Sequence, residues 1–190
     1  MNILAFPEAE VPAELRMQAL ALHNLAWPEL GDMPTQPTTI HDPALSPLSL
    51  LLVENSKVLS TLDILSKMLC HAGEEFQASG ISYMTTHPEY RGRGIGRLLA
   101  SFALETMQTS GVDLGIFTCD TPLRRFYESS GWCELPGAVL IGGTPTTPFP
   151  SNQFDKITLA NFFSGKAKHC AHRFEHCNIA LYPGEIDKLW

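Results

Sequence analysis

Tyr90-Arg91-Gly92-Arg93-Gly94-Ile95-Gly96-Arg97-Leu98-Leu99 is the stretch of this chain richest in chemistry. It follows a strand-like run, Ile81 to Pro88, and opens an apolar-periodic one that predicts a helix. Glycine lets the main chain approach a bulky anion and take positive φ where a turn needs it. The first turn of a helix offers unpaired N–H groups and the positive end of its dipole. Arg91, Arg93 and Arg97 add full positive charge. Such a cradle suits a phosphate or pyrophosphate. It is neither of two familiar phosphate loops. A Walker loop needs Lys-Ser or Lys-Thr after its last glycine, and none follows here. A dinucleotide fingerprint needs G-x-G-x-x-G and an acidic residue about 20 positions on. Here the glycines run G-x-G-x-G, Glu105 comes too early, and Asp113 falls at the start of the next strand. An NAD-dependent enzyme is therefore disfavoured.

A second segment carries the next piece of chemistry. Gly111 to Cys119 is apolar enough for a buried strand. In Asp120-Thr121-Pro122-Leu123-Arg124-Arg125-Phe126-Tyr127, Asp120 or Thr121 suits a helix cap and Pro122 the first helical position. Gly131 closes that short helix, and Trp132 follows. Taken as R-x-x-G-x-G, Arg91, Gly94 and Gly96 resemble the pyrophosphate loop of the GNAT superfamily of acetyl-CoA-dependent N-acetyltransferases. Phe126-Tyr127-x-x-x-Gly131-Trp132 is similar to the motif that ends the cofactor site in that superfamily, and the two occur in the same order.

The resemblance implies an α/β fold, a GNAT-like mixed central sheet flanked by helices with strands splayed at the cofactor cleft. It implies direct acyl transfer from acetyl-CoA to an amine, with no acyl-enzyme. Arg91, Gly92, Arg93, Gly94, Ile95, Gly96 and Arg97 would hold the pyrophosphate. Asp120 and Arg124 would border the cofactor, with Arg124 and Arg125 as candidates for the nucleotide phosphates. Met84, Thr85 and Thr86 would present main-chain N–H groups to the thioester and pair with pantetheine. Tyr127 would be the general acid for the leaving thiolate. The family's glutamate on the strand before the loop is missing, since Ile81-Ser82-Tyr83 has no acid. That absence keeps open a non-catalytic acyl-CoA-binding module.

The ending Asp187-Lys188-Leu189-Trp190 is similar to the aminoglycoside 2'-N-acetyltransferase branch. By that likeness Asp187 and the Trp190 carboxylate would bind an aminoglycoside-like polyamine; separately, Asp32 and Asp42 in the proline-rich loop would add negative charge to the pocket. The partner expected is thus a small-molecule amine. A homodimer is left open.

The surrounding elements must position these groups. Residues 2–6 read as a strand and 11–26 as a helix. Trp27 to Pro47 is broken by Pro28, Pro34, Pro37, Pro43 and Pro47 and predicts a long irregular connection. Strands are expected over 48–53, 58–70 and 76–87, the first two joined by a turn at Glu54-Asn55-Ser56. A helix over 94–109 and a strand, helix and strand over 112–141 follow, which requires a parallel pair there. Residues 142–150 read as a proline-rich surface crossing, 161–177 as a helix and 178–182 as a last strand.

With 190 residues and 44% apolar content the chain is long enough for one domain, residues 1–190, with its core at 48–141 and an extension at 142–190. A net charge of −7 argues against bulk nucleic-acid binding. Five cysteines without a CxxC pair favour a reduced, cytoplasmic protein. No signal peptide or membrane-length apolar run is visible. His169, His172 and His176 would share a helical stripe but lack a carboxylate or thiol, so an exposed face, not a metal site, is the expectation.

Overall fold

The computed structural model describes residues 1–28 and 36–190. The chain runs β1 (Asn2–Pro7), α1 (Ala13–Ala26), β2 (Leu48–Glu54), β3 (Lys57–His71), β4 (Glu74–Thr86), α2 (Ile95–Thr109), β5 (Leu114–Asp120) and α3 (Arg124–Glu128). It continues through β6 (Cys133–Glu134), β7 (Val139–Gly143), β8 (Pro148–Pro150), β9 (Lys156–Phe162), α4 (Gly165–Cys170) and β10 (Asn178–Ala180). Seven strands form one mixed sheet in the order β1-β2-β3-β4-β5-β9-β6, and β10-β7-β8 form a second, small one.

Alternation along β2 shows why the sheet is covered on both faces. Leu50 and Leu52 join the core that contains Leu99, Ala100 and Ala103 of α2. Leu51 points the other way, and packs with Val58 against Ala19 and Leu22 of α1. Side chains two apart share a face, so this single apolar run serves two layers. In α2 the buried positions Ile95, Leu99, Ala100, Ala103 and Met107 lie on one helical stripe.

Two irregularities of β4 matter for function. Pairing with β3 runs Thr61–Thr85 and then Asp63–Ser82, so Leu62 faces two residues, Tyr83 and Met84. This is a β-bulge, and Tyr83 takes the left-handed conformation with φ 46°. On its other edge β4 pairs in parallel with β5 only at Ala78–Leu114 and Ser79–Gly115. Beyond Ser79 the two strands splay.

The Ile116 carbonyl, released by the splay, accepts the Trp190 indole N–H at 2.9 Å. The indole lies against Gly80, where a Cβ would collide with it and with the Ile116 oxygen. Trp190 therefore wedges the strands apart from within.

The expected parallel pair, the strands at 2–6, 48–53, 58–70 and 76–87, and the helix at 94–109 are all present within a few residues. The C-terminal third differs. The proline-rich crossing at 142–150 is a β-hairpin, β7 with β8. The helix expected over 161–177 begins only at Gly165, because Lys156–Phe162 is β9, zipped against β5. Its apolar residues Ile157, Leu159 and Phe162 belong to a strand whose period the neighbouring helical spacing masks. The helix stops at Cys170, so His169, His172 and His176 do not share one stripe, and all three are exposed.

Gly80→Ala is expected to expel the Trp190 indole or part the strands further. It should cost about 1–3 kcal/mol, as overpacking does. Urea unfolding of the variant beside the parent measures this.

Candidate active site

Beyond the splay, a cleft of about 640 Å³ lies between the C-terminal end of β4, the start of α2 and α3. In sheets with parallel strands this is where ligands bind. One wall is the bulged β4 edge, Met84, Thr85 and Thr86. The floor is the loop and first turn of α2, with Arg91, Gly92, Gly94, Ile95, Gly96 and Arg97. The far wall is α3, which contributes Phe126 and Tyr127, and the C-terminal end of α1 adds Ala26 and Trp27.

The α2 terminus is built as an anion site. Gly94 is its N-cap with φ 77°, a conformation that a side chain makes costly. No side chain caps the helix, and its first internal bond is Leu98 N–H to the Gly94 carbonyl. The amides of Ile95, Gly96 and Arg97 precede that bond, and these residues line the cleft, where a helix start offers N–H donors. Gly96 lets the first turn of α2 pack close to β4, since a Cβ there would meet Thr86 Oγ1 at 2.9 Å. Arg91 Nε donates to the Thr86 carbonyl at 3.1 Å, so one arginine fixes the loop to β4. Arg93 lies over the Tyr90 ring and does not line the cleft.

Tyr127 is positioned by aromatic packing. Trp132 is buried, donates its indole N–H to the Ala100 carbonyl at 3.3 Å, and packs edge-on against Phe117. Phe117 packs edge-on against Tyr127. The Gly131-Trp132 pair thus ties α3 to α2 and β5. The Tyr127 hydroxyl bonds to no described residue. Burial, with lesser contributions from Cys119 and Asp120, pushes its pKa above the ordinary 10. The phenol stays protonated at neutral pH. Cys119 is buried and its thiol pushed up to about 12, mainly by burial, which makes it an apolar filler.

The profile of the family described as "Acetyltransferase (GNAT) domain" matches residues 13–134. The chain belongs to the GNAT acetyltransferase family. An "uncharacterized N-acetyltransferase ycf52-like" of Prochlorococcus marinus is 33% identical over 67 residues, which are 35% of this chain and 37% of the relative. The alignment thus spans little more than a third of that relative's length. Among solved structures, Escherichia coli ElaA superposes with a TM-score of 0.60 at 18% identity, over 85% of this chain and 99% of its own. An aminoglycoside 6'-N-acetyltransferase complexed with coenzyme A gives 0.60 at 13% identity, over 86% and 98%. A Pseudomonas aeruginosa acyl-CoA N-acyltransferase gives 0.57 at 15%, over 84% and 98%. These structures share the fold of this chain.

Within the GNAT frame, several expected site residues sit elsewhere. Arg124 is exposed, and its guanidinium meets Glu128 at 3.0 Å and Glu134 at 2.7 Å. Neither Arg124 nor Arg125 lines the cleft. Asp120 makes no capping bond; its carboxylate binds Lys156 at 2.6 Å. Asp32 lies outside the described residues. Asp187 and Trp190 border a second cavity of about 290 Å³ between the splayed strands, with Ser82, Tyr83, Thr118 and Lys188. Asp187, however, turns both carboxylate oxygens inward, to His41 Nδ1 at 2.5 Å and the Asp42 N–H at 3.0 Å. Trp190 supplies a wedging indole. No metal-holding cluster exists among the described residues.

The sequence reading missed the groups that receive Asp187. His41 is fully buried, with Nε2 3.2 Å from Asp63 on β3. Asp63 also accepts the Ser49 hydroxyl at 2.5 Å. Burial alone would depress the imidazole, but the hydrogen bonds it donates to Asp187 and Asp63 overcome it and hold the pKa at about 9. Next to it, His23 on α1 is fully buried and neither ring nitrogen makes a well-formed hydrogen bond. Burial drives its pKa down to about 4, against smaller pulls from Asp63 and the Tyr83 main chain. Tyr83 bridges the pair, its ring 5.4 Å from His41 and 5.1 Å from His23.

These two histidines predict a stability optimum. Between pH 6.5 and 4 the unfolded chain takes up the His23 proton that the folded chain refuses. Between pH 6.5 and 9 the folded chain keeps the His41 proton that the unfolded chain has lost. Stability therefore falls on both sides of about pH 6.5, each limb on the order of 1–3 kcal/mol. His23→Leu should flatten the acid limb and His41→Gln the alkaline one. Urea melts from pH 4 to 10 check it, and a monotonic curve contradicts it.

Proposed function

We propose that this enzyme moves an acetyl group from acetyl-CoA directly to a primary amine of a small molecule. The observation that carries the reading is one continuous cleft joining an uncapped, glycine-led helix terminus to a free tyrosine hydroxyl and a bulged strand edge. The residues fit the donor. The amides at 95–97 and the side chains of Arg91 and Arg97 offer charge to a diphosphate. The β4 edge beyond Ser79, freed from β5, offers main-chain groups to an extended pantetheine arm and to the thioester oxygen. Gly96 brings the first turn of α2 close to the β4 edge, where a Cβ would meet Thr86. The family match and a CoA-bound structural neighbour support the same reading.

In the reaction proposed, the amine nitrogen bonds to the acyl carbon as the carbon–sulfur bond breaks. The Tyr127 hydroxyl gives its proton to the departing sulfur. The acceptor amine gives its own proton to solvent water, because Asp63 and Asp187 are both committed to His41 and His23 is neutral and enclosed. The second cavity, on the far side of β4's bulge, is where the acceptor would enter. An aminoglycoside-like polyamine loses support there. The carboxylate expected to face it, that of Asp187, already neutralises an imidazolium.

Thiol release from acetyl-CoA over an amine panel tests the proposal. Tyr127→Phe should lower kcat/KM about 10²- to 10³-fold and leave acetyl-CoA affinity intact. Gly94→Val should do the reverse, weakening donor binding before chemistry. No turnover on any amine, with acetyl-CoA bound, would favour a non-catalytic acyl-CoA-binding module.

A further inference from the structure

The proline-rich connection, β3 and the C-terminal tail are far apart in sequence, yet one ring joins them. His41 lies 22 residues from Asp63 and 146 from Asp187 and contacts both. A neutral imidazole has one N–H, so it could satisfy only one carboxylate and would turn a lone pair on the other. With a carboxylate at each nitrogen, the ring is an imidazolium. The remaining oxygens are occupied as well, Asp187 by the Asp42 N–H and Asp63 by the Ser49 hydroxyl. No group in this cluster is free to rearrange without stranding a buried charge.

What the cluster holds is the acceptor side of the cleft. Asp187 starts the run Asp187 to Trp190 that walls the second cavity, and Trp190 N–H returns to the Asp187 carbonyl at 3.2 Å. Trp190 then wedges β4 from β5 through its bond to Ile116. On the opposite side the His41 ring packs edge-on against Tyr83, the bulge residue that precedes Met84 and the thioester wall. The same imidazolium thus braces both walls of the acceptor cavity.

We infer that His41 is a positioning residue for the acceptor: its charge clasps the C-terminal tail as a wall of the amine-binding cavity. This rests on the acetyl-transfer reading of the site. The clasp is separate from the donor site, which is built from the α2 terminus and shares no hydrogen bond with it. The titratable groups that face His41 are Asp63 from β3, Asp187 from the tail, Tyr83 from β4 and His23 from α1, with Arg16 beyond His23 and Asp42 beside it in the chain. Among them only His41 carries the positive charge that touches both carboxylates. When its proton leaves, Asp63 and Asp187 face each other across a neutral ring; Asp63 is fixed in β3 between two paired strands, whereas Asp187 belongs to no strand or helix.

The test reads the tail directly. The Trp190 indole N–H resonance, assigned with Trp190→Phe, is followed by NMR from pH 6 to 10. In the parent protein it should move with a midpoint near 9, the pKa of His41. In His41→Gln it should sit at its alkaline position already at pH 7. The acceptor KM of that variant should rise about tenfold or more while kcat and acetyl-CoA affinity hold. Should His41→Gln fail to fold, Asp187→Asn serves: it keeps the shape, removes one charge, and should pull the midpoint toward neutral pH. The inference is overturned by an indole signal that ignores pH in the parent, by one unmoved in His41→Gln, or by an unmoved midpoint in Asp187→Asn. The resonance needs no turnover, so these results stand apart from a failure to find any amine acceptor.

Discussion

β4 and β5 keep sheet register at only two residue pairs, and every polar group released beyond them must be satisfied in another way. That constraint organises the molecule. The Ile116 carbonyl is answered by the Trp190 indole. The β4 edge from Met84 to Thr86 is left to line a cleft. The terminus of α2, which starts after the strand turns away, aims its unpaired amides into the same space. A fully zipped sheet would have no room for an extended ligand between these strands.

The protein keeps this opening from closing by filling its two ends differently. At the inner end, Gly80 and the Trp190 indole fit together at a separation that no other residue at 80 would tolerate. At the outer end Gly96 lets the first turn of α2 sit close to Thr86, Met84 and Phe126, which a Cβ there would crowd. Around the inner end sits a buried ionic cluster whose parts come from four segments. Such clusters add little net stability over apolar packing, but breaking one side leaves an uncompensated charge. Here the cluster gives an otherwise irregular tail a single location.

Much of this was legible in the sequence, for local reasons. Arg91, Gly94 and Gly96 announce their role because glycine spacing and charge act within one turn of chain. Phe126-Tyr127 and Gly131-Trp132 do so because the short helix, its end and its anchor are contiguous. The donor half of the site is therefore written in runs. The acceptor half is written in single residues. Asp63 is a lone acid inside Leu62-Asp63-Ile64-Leu65, and His23 sits on the apolar side of α1 between Leu22 and Ala26. A polar residue in a buried register is the one local sign that a partner waits elsewhere. His41 gave no such sign, since it lies among prolines. Asp187 stands out in the sequence as an acceptor ligand, but its bond to His41 does not, because only the fold brings the tail beside residue 41. The strand β9 was hidden for a related reason: its pairing with β5 spans the whole α3–β8 region, and its seven residues abut a helical pattern.

The most direct measurement is amide hydrogen exchange with and without acetyl-CoA. The account predicts slowed exchange at two separate places, the first turn of α2 at residues 94–97 and the β4 edge at residues 84–86, with α4 and the β7–β8 hairpin unchanged. Protection that misses both, or none at saturating donor, would mean that the opening between the splayed strands is not where the acyl carrier binds.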